Sequence, residues 1–300
     1  MIPALLTVLL VQEAGSLLEQ GTRFLEERNL EAAEKVFREL VSESPHDSRA
    51  SYYLGIALAR QDRTEEALVV LDSARRLAKR PNPSILYELG TAFSKLERWQ
   101  EAEEVLKQAT ELVPAATVIR LQLGWVYYSQ LEGEKARAEF ERVIETAPSA
   151  MVFLYLGLTE VGLGRNDPAV EALQEAIRLD SGLLDAHVAL GKVLARAGRD
   201  EEAMAVLTRA LEIDRSSAEA HFQLGLVALR RDDLDSAMRS FTAALEADPE
   251  HLQAWYNRAL AAERLGRGEE ARACWARVAE LRASGAEDPE AKRRMRARTK

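Results

Sequence analysis

The sequence predicts an all-α chain built as an array of tandem helix-turn-helix units, on three observations. First, a glycine is followed twelve residues later by a lone alanine at Gly21/Ala33, Gly55/Ala67, Gly90/Ala102, Gly124/Ala136, Gly157/Ala169, Gly191/Ala203 and Gly225/Ala237. An eighth copy keeps Ala271 but has Ala259 in place of the glycine. Second, successive glycines lie 34, 35, 34, 33, 34 and 34 residues apart, and self-similarity at one spacing decides the architecture before length does. Third, each copy holds two apolar patterns of helical period on either side of a polar break.

The elements follow in chain order. Residues 1–13 begin with MIPALLTVLLV, apolar and uncharged. That is too short to span a bilayer, which takes about 20 residues, and it suits the apolar core of a secretory signal. It has no basic flank, and QEA before Gly15 makes a poor cleavage site. The repeat pattern starts at about Ala14, where the apolar segment stops, so export is the favoured expectation. The alternative is an amphipathic cap on the first repeat. Membrane contact is expected only through this segment, if it stays uncleaved.

Eight units are then expected at 14–47, 48–82, 83–116, 117–149, 150–183, 184–217, 218–251 and 252–285. In the second, Tyr53, Leu54, Ile56, Ala57 and Leu58 precede the break QDRT. Ala67, Leu68, Val70, Leu71 and Ala74 follow it at amphipathic spacing. Acidic residues open the second helices, as suits a positive helix N-terminus. Proline closes several units at Pro45, Pro114, Pro148 and Pro249. An interior glycine costs a helix about 1 kcal/mol relative to alanine. The expected compensation is close approach of the two backbones at the glycine and the alanine. Large residues sixteen after the glycine or its equivalent lock the pair: Phe37, Leu71, Leu106, Phe140, Leu173, Leu207, Phe241 and Trp275. Glu160 breaks the pattern at a site that is otherwise apolar or aromatic, so it is expected to be either exposed by a local shift, the favoured reading, or paired. The tail, 286–300, ends in KRRMRARTK with six positive residues and no negative one. Asp288-Pro289 is expected to start a short helix that caps the array poorly, leaving Val278 and Leu281 partly exposed and able to support a weak homodimer.

These features together resemble the tetratricopeptide repeat, with W-x2-LG-like stretches at Ser51–Gly55 and Leu86–Gly90, and the chain is most similar to bacterial members. The resemblance covers about Ala14 to Gly285 and implies a right-handed superhelical solenoid whose first helices line a concave groove. It implies no activity. Two known specialisations of the family are missing. A clamp for acidic C-terminal peptides needs lysine three before the glycine, where Leu18, Tyr52, Tyr87, Leu121, Leu154, Val188, Phe222 and Tyr256 stand. An asparagine ladder needs asparagine two before it, where only Asn257 complies.

The chemistry-bearing residues point away from catalysis. The net charge of −9 argues against nucleic acid as the main partner. One cysteine, Cys274, excludes an internal disulfide or a cysteine-based zinc site and reads as core. His187 and His221 share one site in neighbouring units without a recurring third ligand, so they read as filling the slot held by Trp255 and Phe153. No phosphate-binding loop, nucleophile elbow or zinc-protease motif occurs. No enzyme activity, catalytic residue, metal, cofactor or small-molecule substrate is therefore expected.

By the resemblance, the groove is lined by residues six and three before the glycine and one, four and five after it. These include Tyr52, Ile56, Tyr87, Leu121, Trp125, Tyr128, Met151, Leu154 and Leu158, followed by Asp185, Lys192 and Arg196. The site five after the glycine is basic at Arg60, Lys95, Arg196, Arg230 and Arg264. The expected function is a non-catalytic scaffold holding a peptide or helix of another protein, with apolar anchors and acidic flanks, in the groove. The alternatives are a structural protein that self-associates through its repeat ends, or an accessory subunit of an enzyme complex.

Overall fold

The structure, a computed structural model, describes residues 16–284. The N-terminal apolar segment and the expected Asp288-Pro289 helix start lie outside them. Among the described residues sixteen helices follow one another as eight hairpins, with no strand. The hairpins fall into two compact units, Met1–Pro148 and Ser149–Lys300. The N-terminal unit holds α1 (16–26), α2 (Leu30–Glu43), α3 (Ser48–Arg60), α4 (Thr64–Leu77), α5 (Pro83–Lys95), α6 (Trp99–Leu112), α7 (Thr117–Ser129) and α8 (Gly133–Thr146). The C-terminal unit holds α9 (Ala150–Gly162), α10 (Asn166–Leu179), α11 (Leu184–Arg196), α12 (Asp200–Ile213), α13 (Ala218–Arg230), α14 (Leu234–Ala247), α15 (Leu252–Arg264) and α16 (Gly268–Ala283).

Each hairpin turn is made the same way. The residue seven after the glycine, or after Ala259, has positive φ: Arg28, Asp62, Glu97, Leu131, Gly164, Gly198, Asp232 and Gly266. The next backbone N–H returns to a carbonyl five residues back, as from Arg63 to Leu58 at 3.1 Å and from Arg199 to Leu194 at 2.9 Å. A left-handed residue with this bond satisfies carbonyls that the end of the first helix would otherwise leave open. The second helix starts at once, with an acidic residue in its first turn in all eight hairpins. Several of these acids pair with an arginine at the helix N-cap, as in Arg63–Glu66 at 2.6 Å and Arg199–Glu202 at 2.7 Å.

Inside a hairpin the space at the glycine is taken by the large residue that follows it. A Cβ built on Gly124 would lie 2.6 Å from Phe140 Cε1, and on Gly55 it would lie 2.5 Å from Leu71 Cγ. All seven glycines face the large residue sixteen positions on, and at Gly157 the backbone oxygen of Ala169 is also near, at 3.4 Å. The glycine is therefore a socket for that side chain. Phe37, Leu71, Leu106, Phe140, Leu173, Leu207 and Phe241 fill it and are wholly buried. The alanines twelve on line the same interface, equally buried. Where Ala259 replaces the glycine, Trp275 stays half-buried and its indole N–H donates to Glu263 at 2.8 Å.

Two expectations change. Glu160 is not swung out: it is 3 % exposed, and Arg165 Nη1 lies 3.8 Å from its Oε2. Pairing with the arginine of its own turn removes the need for a register shift. Val278 and Leu281 are buried against Leu252, with Trp255 and Trp275 packed on them, so they give no exposed surface for a homodimer.

Candidate binding surface

The surface is built from the first helices of the hairpins. In the N-terminal unit Tyr52 (α3), Tyr87 (α5), Leu121, Trp125 and Tyr128 (α7) are all half-buried, as suits side chains at the edge of the core. Trp125 and Tyr128 are one helical turn apart and stack with ring centroids 5.5 Å apart at 29°. Tyr52 packs edge-on to Tyr53, which stacks on the socket residue Phe37. Burial, with Glu88 and Tyr53 adding to it, pushes the Tyr52 phenol up to about 12. Burial also raises the Glu88 carboxyl against the opposing charges of Arg60 and Lys95. Ile56 is a correction: at 9 % exposure it belongs to the core with Leu54 and Leu71, because its side chain points into the stack between hairpins.

A cavity of about 290 Å³ opens between the N-terminal ends of α3, α5 and α7. Tyr52, Tyr87, Val113, Val118 and Ile119 line it, and Val118 is 55 % exposed. Val113 and Val118 are absent from the sequence-based set. Val118 stands six before Gly124, a position the groove pattern includes, whereas Val113 enters from the α6–α7 loop, whose path no periodicity reveals.

Most of the basic residues five after the glycine make polar contacts within the chain. Arg60 Nη1 donates to the carbonyl of Leu25 at 3.2 Å, and Lys95 Nζ lies 3.3 Å from Asp62. Arg230 pairs with Asp200, and Arg264 with Asp232. Each ties the end of a first helix to the preceding hairpin.

In the C-terminal unit Leu154 is likewise core, 2 % exposed among Ala169, Leu173 and Leu190, since α9 and α10 close over it. Leu158 is half-buried, and Asp185 is exposed. Lys192 is half-buried, with Nζ 3.8 Å from Glu219 Oε1. Glu219 also accepts from Gln223 at 2.8 Å and faces His251 Nε2 at 3.7 Å. The nearby His251 leads in holding its carboxyl below the usual range, against burial. Arg196 is exposed, and among the described residues no carboxylate lies within 4 Å of it.

The histidines have a structural task. Four before the glycine, His187 and His221 each put Nε2 3.1 Å from the carbonyl six residues back, at Ser181 and Arg215. Trp255 donates to Pro249 at 2.9 Å and Arg120 to Pro114 at 2.7 Å in the same position. The slot holds a side chain that satisfies a carbonyl of the turn between hairpins. Among the described residues no group of three or more His, Cys, Asp or Glu is placed to hold a metal ion. None of the helices there is long and apolar enough to cross a membrane. Cys274 is buried, with Arg258 Nη1 3.4 Å from its sulfur.

A family model of the tetratricopeptide repeat matches residues 18–82, 87–150, 154–220 and 222–290. A curated relative, cell division cycle protein 27 homolog B of Arabidopsis thaliana, is 32 % identical over 130 residues, 43 % of this chain and 17 % of its own. Homolog A is 28 % identical over 106 residues, 35 % of this chain and 15 % of its own. The chain thus spans less than a fifth of the length of either. A tetratricopeptide repeat protein from Parabacteroides merdae shares the fold at a TM-score of 0.64 and 18 % identity, over 83 % of this chain and 99 % of that one. MamA from Desulfovibrio magneticus is similar at a TM-score of 0.54 and 27 % identity, over 57 % and 97 %. With the hairpin repeat, its glycine socket and the family match running over most of its length, this chain belongs to the tetratricopeptide repeat family.

Proposed function

We propose that this chain is a non-catalytic scaffold that binds a segment of another protein on the first-helix surface of its N-terminal unit. The observation that carries the reading is an apolar cavity of about 290 Å³ lined by the half-buried rings Tyr52 and Tyr87, with the half-buried stacked pair Trp125 and Tyr128 further along α7. Tyrosine and tryptophan bring large contact area and few rotatable bonds, which is why they dominate binding hot spots. A cavity of that size takes one or two apolar side chains, and the neighbouring tyrosine hydroxyls offer hydrogen bonds to the backbone that carries them. The repeat family supports the general role of protein binding, and the ring cluster supports this place for it.

The test compares three immobilised proteins in an extract of the source cell: the parent, Trp125→Ala, and Val69→Ala on α4. Val69 is 73 % exposed and belongs to a second helix. The proposal expects the proteins retained by the parent also to be retained by Val69→Ala and to be lost from Trp125→Ala. Equal retention by all three would move the binding surface elsewhere.

A further inference from the structure

Beyond that reading, we infer that Arg196 is an anion-recognising position of the C-terminal unit, which receives a carboxylate side chain of an acidic segment lying along α9 and α11. The case is made by the exception Arg196 forms in its own series. Lys95 and Arg264 take their carboxylate from the residue seven after the preceding glycine, Asp62 and Asp232. Arg230 takes its carboxylate from the residue nine after, Asp200. For Arg196 those two places hold Gly164 and Asn166, and neither carries a charge. Arg60 also lacks an acid but donates to the carbonyl of Leu25, whereas Arg196 makes no such bond among the described residues.

The surroundings keep this guanidinium accessible. The preceding first helix, α9, ends at Gly162, and a Cβ added at Gly162 or Gly164 would meet nothing within 4 Å. The backbone at the end of α9 is therefore open at both glycines. Leu158 and Val161 on α9 are half-buried and give that approach an apolar floor. Lys192, one turn before Arg196 on α11, adds a second cation whose charge is only partly answered by Glu219 at 3.8 Å. Arginine presents two parallel N–H groups to a carboxylate, a geometry that selects glutamate or aspartate over a neutral side chain. The occupant that fits is a segment with an aliphatic residue next to an acidic one.

The test is a selection of random twelve-residue peptides displayed on phage, run separately against the full parent chain, Arg196→Glu and Arg209→Glu. Arg209 lies on the second helix α12 and is exposed, so its variant controls for the change in net charge. Expected are parent-selected peptides with aspartate or glutamate beside an aliphatic residue. They should bind Arg196→Glu roughly tenfold or more weakly, bind Arg209→Glu as they bind the parent, and give way to lysine or arginine in the peptides that Arg196→Glu selects. Should Arg196→Glu melt early, Arg196→Gln replaces it and the weakening is read alone. Peptides that bind the parent and Arg196→Glu equally, yet weaken on Trp125→Ala, would overturn this inference and leave the ring surface standing. Failure of the parent to enrich any peptide would overturn both.

Discussion

At Gly124 a single missing Cβ decides whether a hairpin closes, because Phe140 occupies the space that the Cβ would take. Gly124→Ala gains about 1 kcal/mol of helix propensity but forces Phe140 out of its socket, so overpacking of about 1–3 kcal/mol prevails. A lower urea midpoint is expected, and in the Phe140→Ala background the same change should become neutral or favourable. Additive losses in that double-mutant cycle would contradict the socket. Leu131 is the opposite case. It is 92 % exposed with φ of 62°, a conformation that costs a branched residue about 1–2 kcal/mol. Leu131→Gly is expected to raise stability by about 0.5–1 kcal/mol, after the larger chain entropy of unfolded glycine is subtracted. A lower midpoint would show that the leucine makes contacts that its exposure hides. The socket residues were legible in the sequence because both partners recur in seven of the eight copies. The left-handed position was not, since Arg28, Asp62, Glu97, Leu131 and Asp232 mask what Gly164, Gly198 and Gly266 would have revealed.

Between hairpins, polar contacts supplement apolar stacking. Glu34 on α2 accepts from Gln61 at 2.9 Å and from Arg63 Nη1 at 2.8 Å, both in the α3–α4 turn, and from Arg38 Nη2 at 2.7 Å on its own helix. Burial pushes its carboxyl up, but the hydrogen bonds from Gln61, Arg38 and Arg63 outweigh it and hold the value at about 2, against an ordinary 4.5. A group whose value is lowered by folding stabilises the fold above its unfolded value, and that support is lost as pH falls through the folded one. The parent should therefore lose stability between pH 4.5 and about 2 more steeply than Glu34→Gln, as followed by urea melts at several pH values. Parallel profiles would remove Glu34 from the account. Such contacts resist prediction because they depend on which long side chain reaches which turn. Glu160 shows the difficulty. Its spacing marked it as anomalous, but only the fold brings Arg165 beside it. The basic series was visible as a pattern, while its ties to Asp62, Asp200 and Asp232 were not.

Taken as a chain, the protein repeats one hairpin and varies what its first helices present. The period made the architecture readable, and its 33-residue interval, from Gly124 to Gly157, contains the boundary between the two compact units at Pro148 and Ser149. The surface was readable in part. Tyr52, Tyr87, Leu121, Trp125 and Tyr128 hold half-buried positions, whereas Ile56 and Leu154 are core and the cavity adds Val113 and Val118. Helical spacing says which face a residue lies on, but not how far the neighbouring hairpin closes over it. The functional account turns on whether the rings serve binding or stability. The deciding measurement is the thermal midpoint of Trp125→Ala taken together with its affinity for a protein that the parent retains. Binding should fall by on the order of 2 kcal/mol while stability changes by less than about 1 kcal/mol. A variant that unfolds early and binds only in proportion to its folded fraction would make Trp125 a stacking residue and would contradict the account.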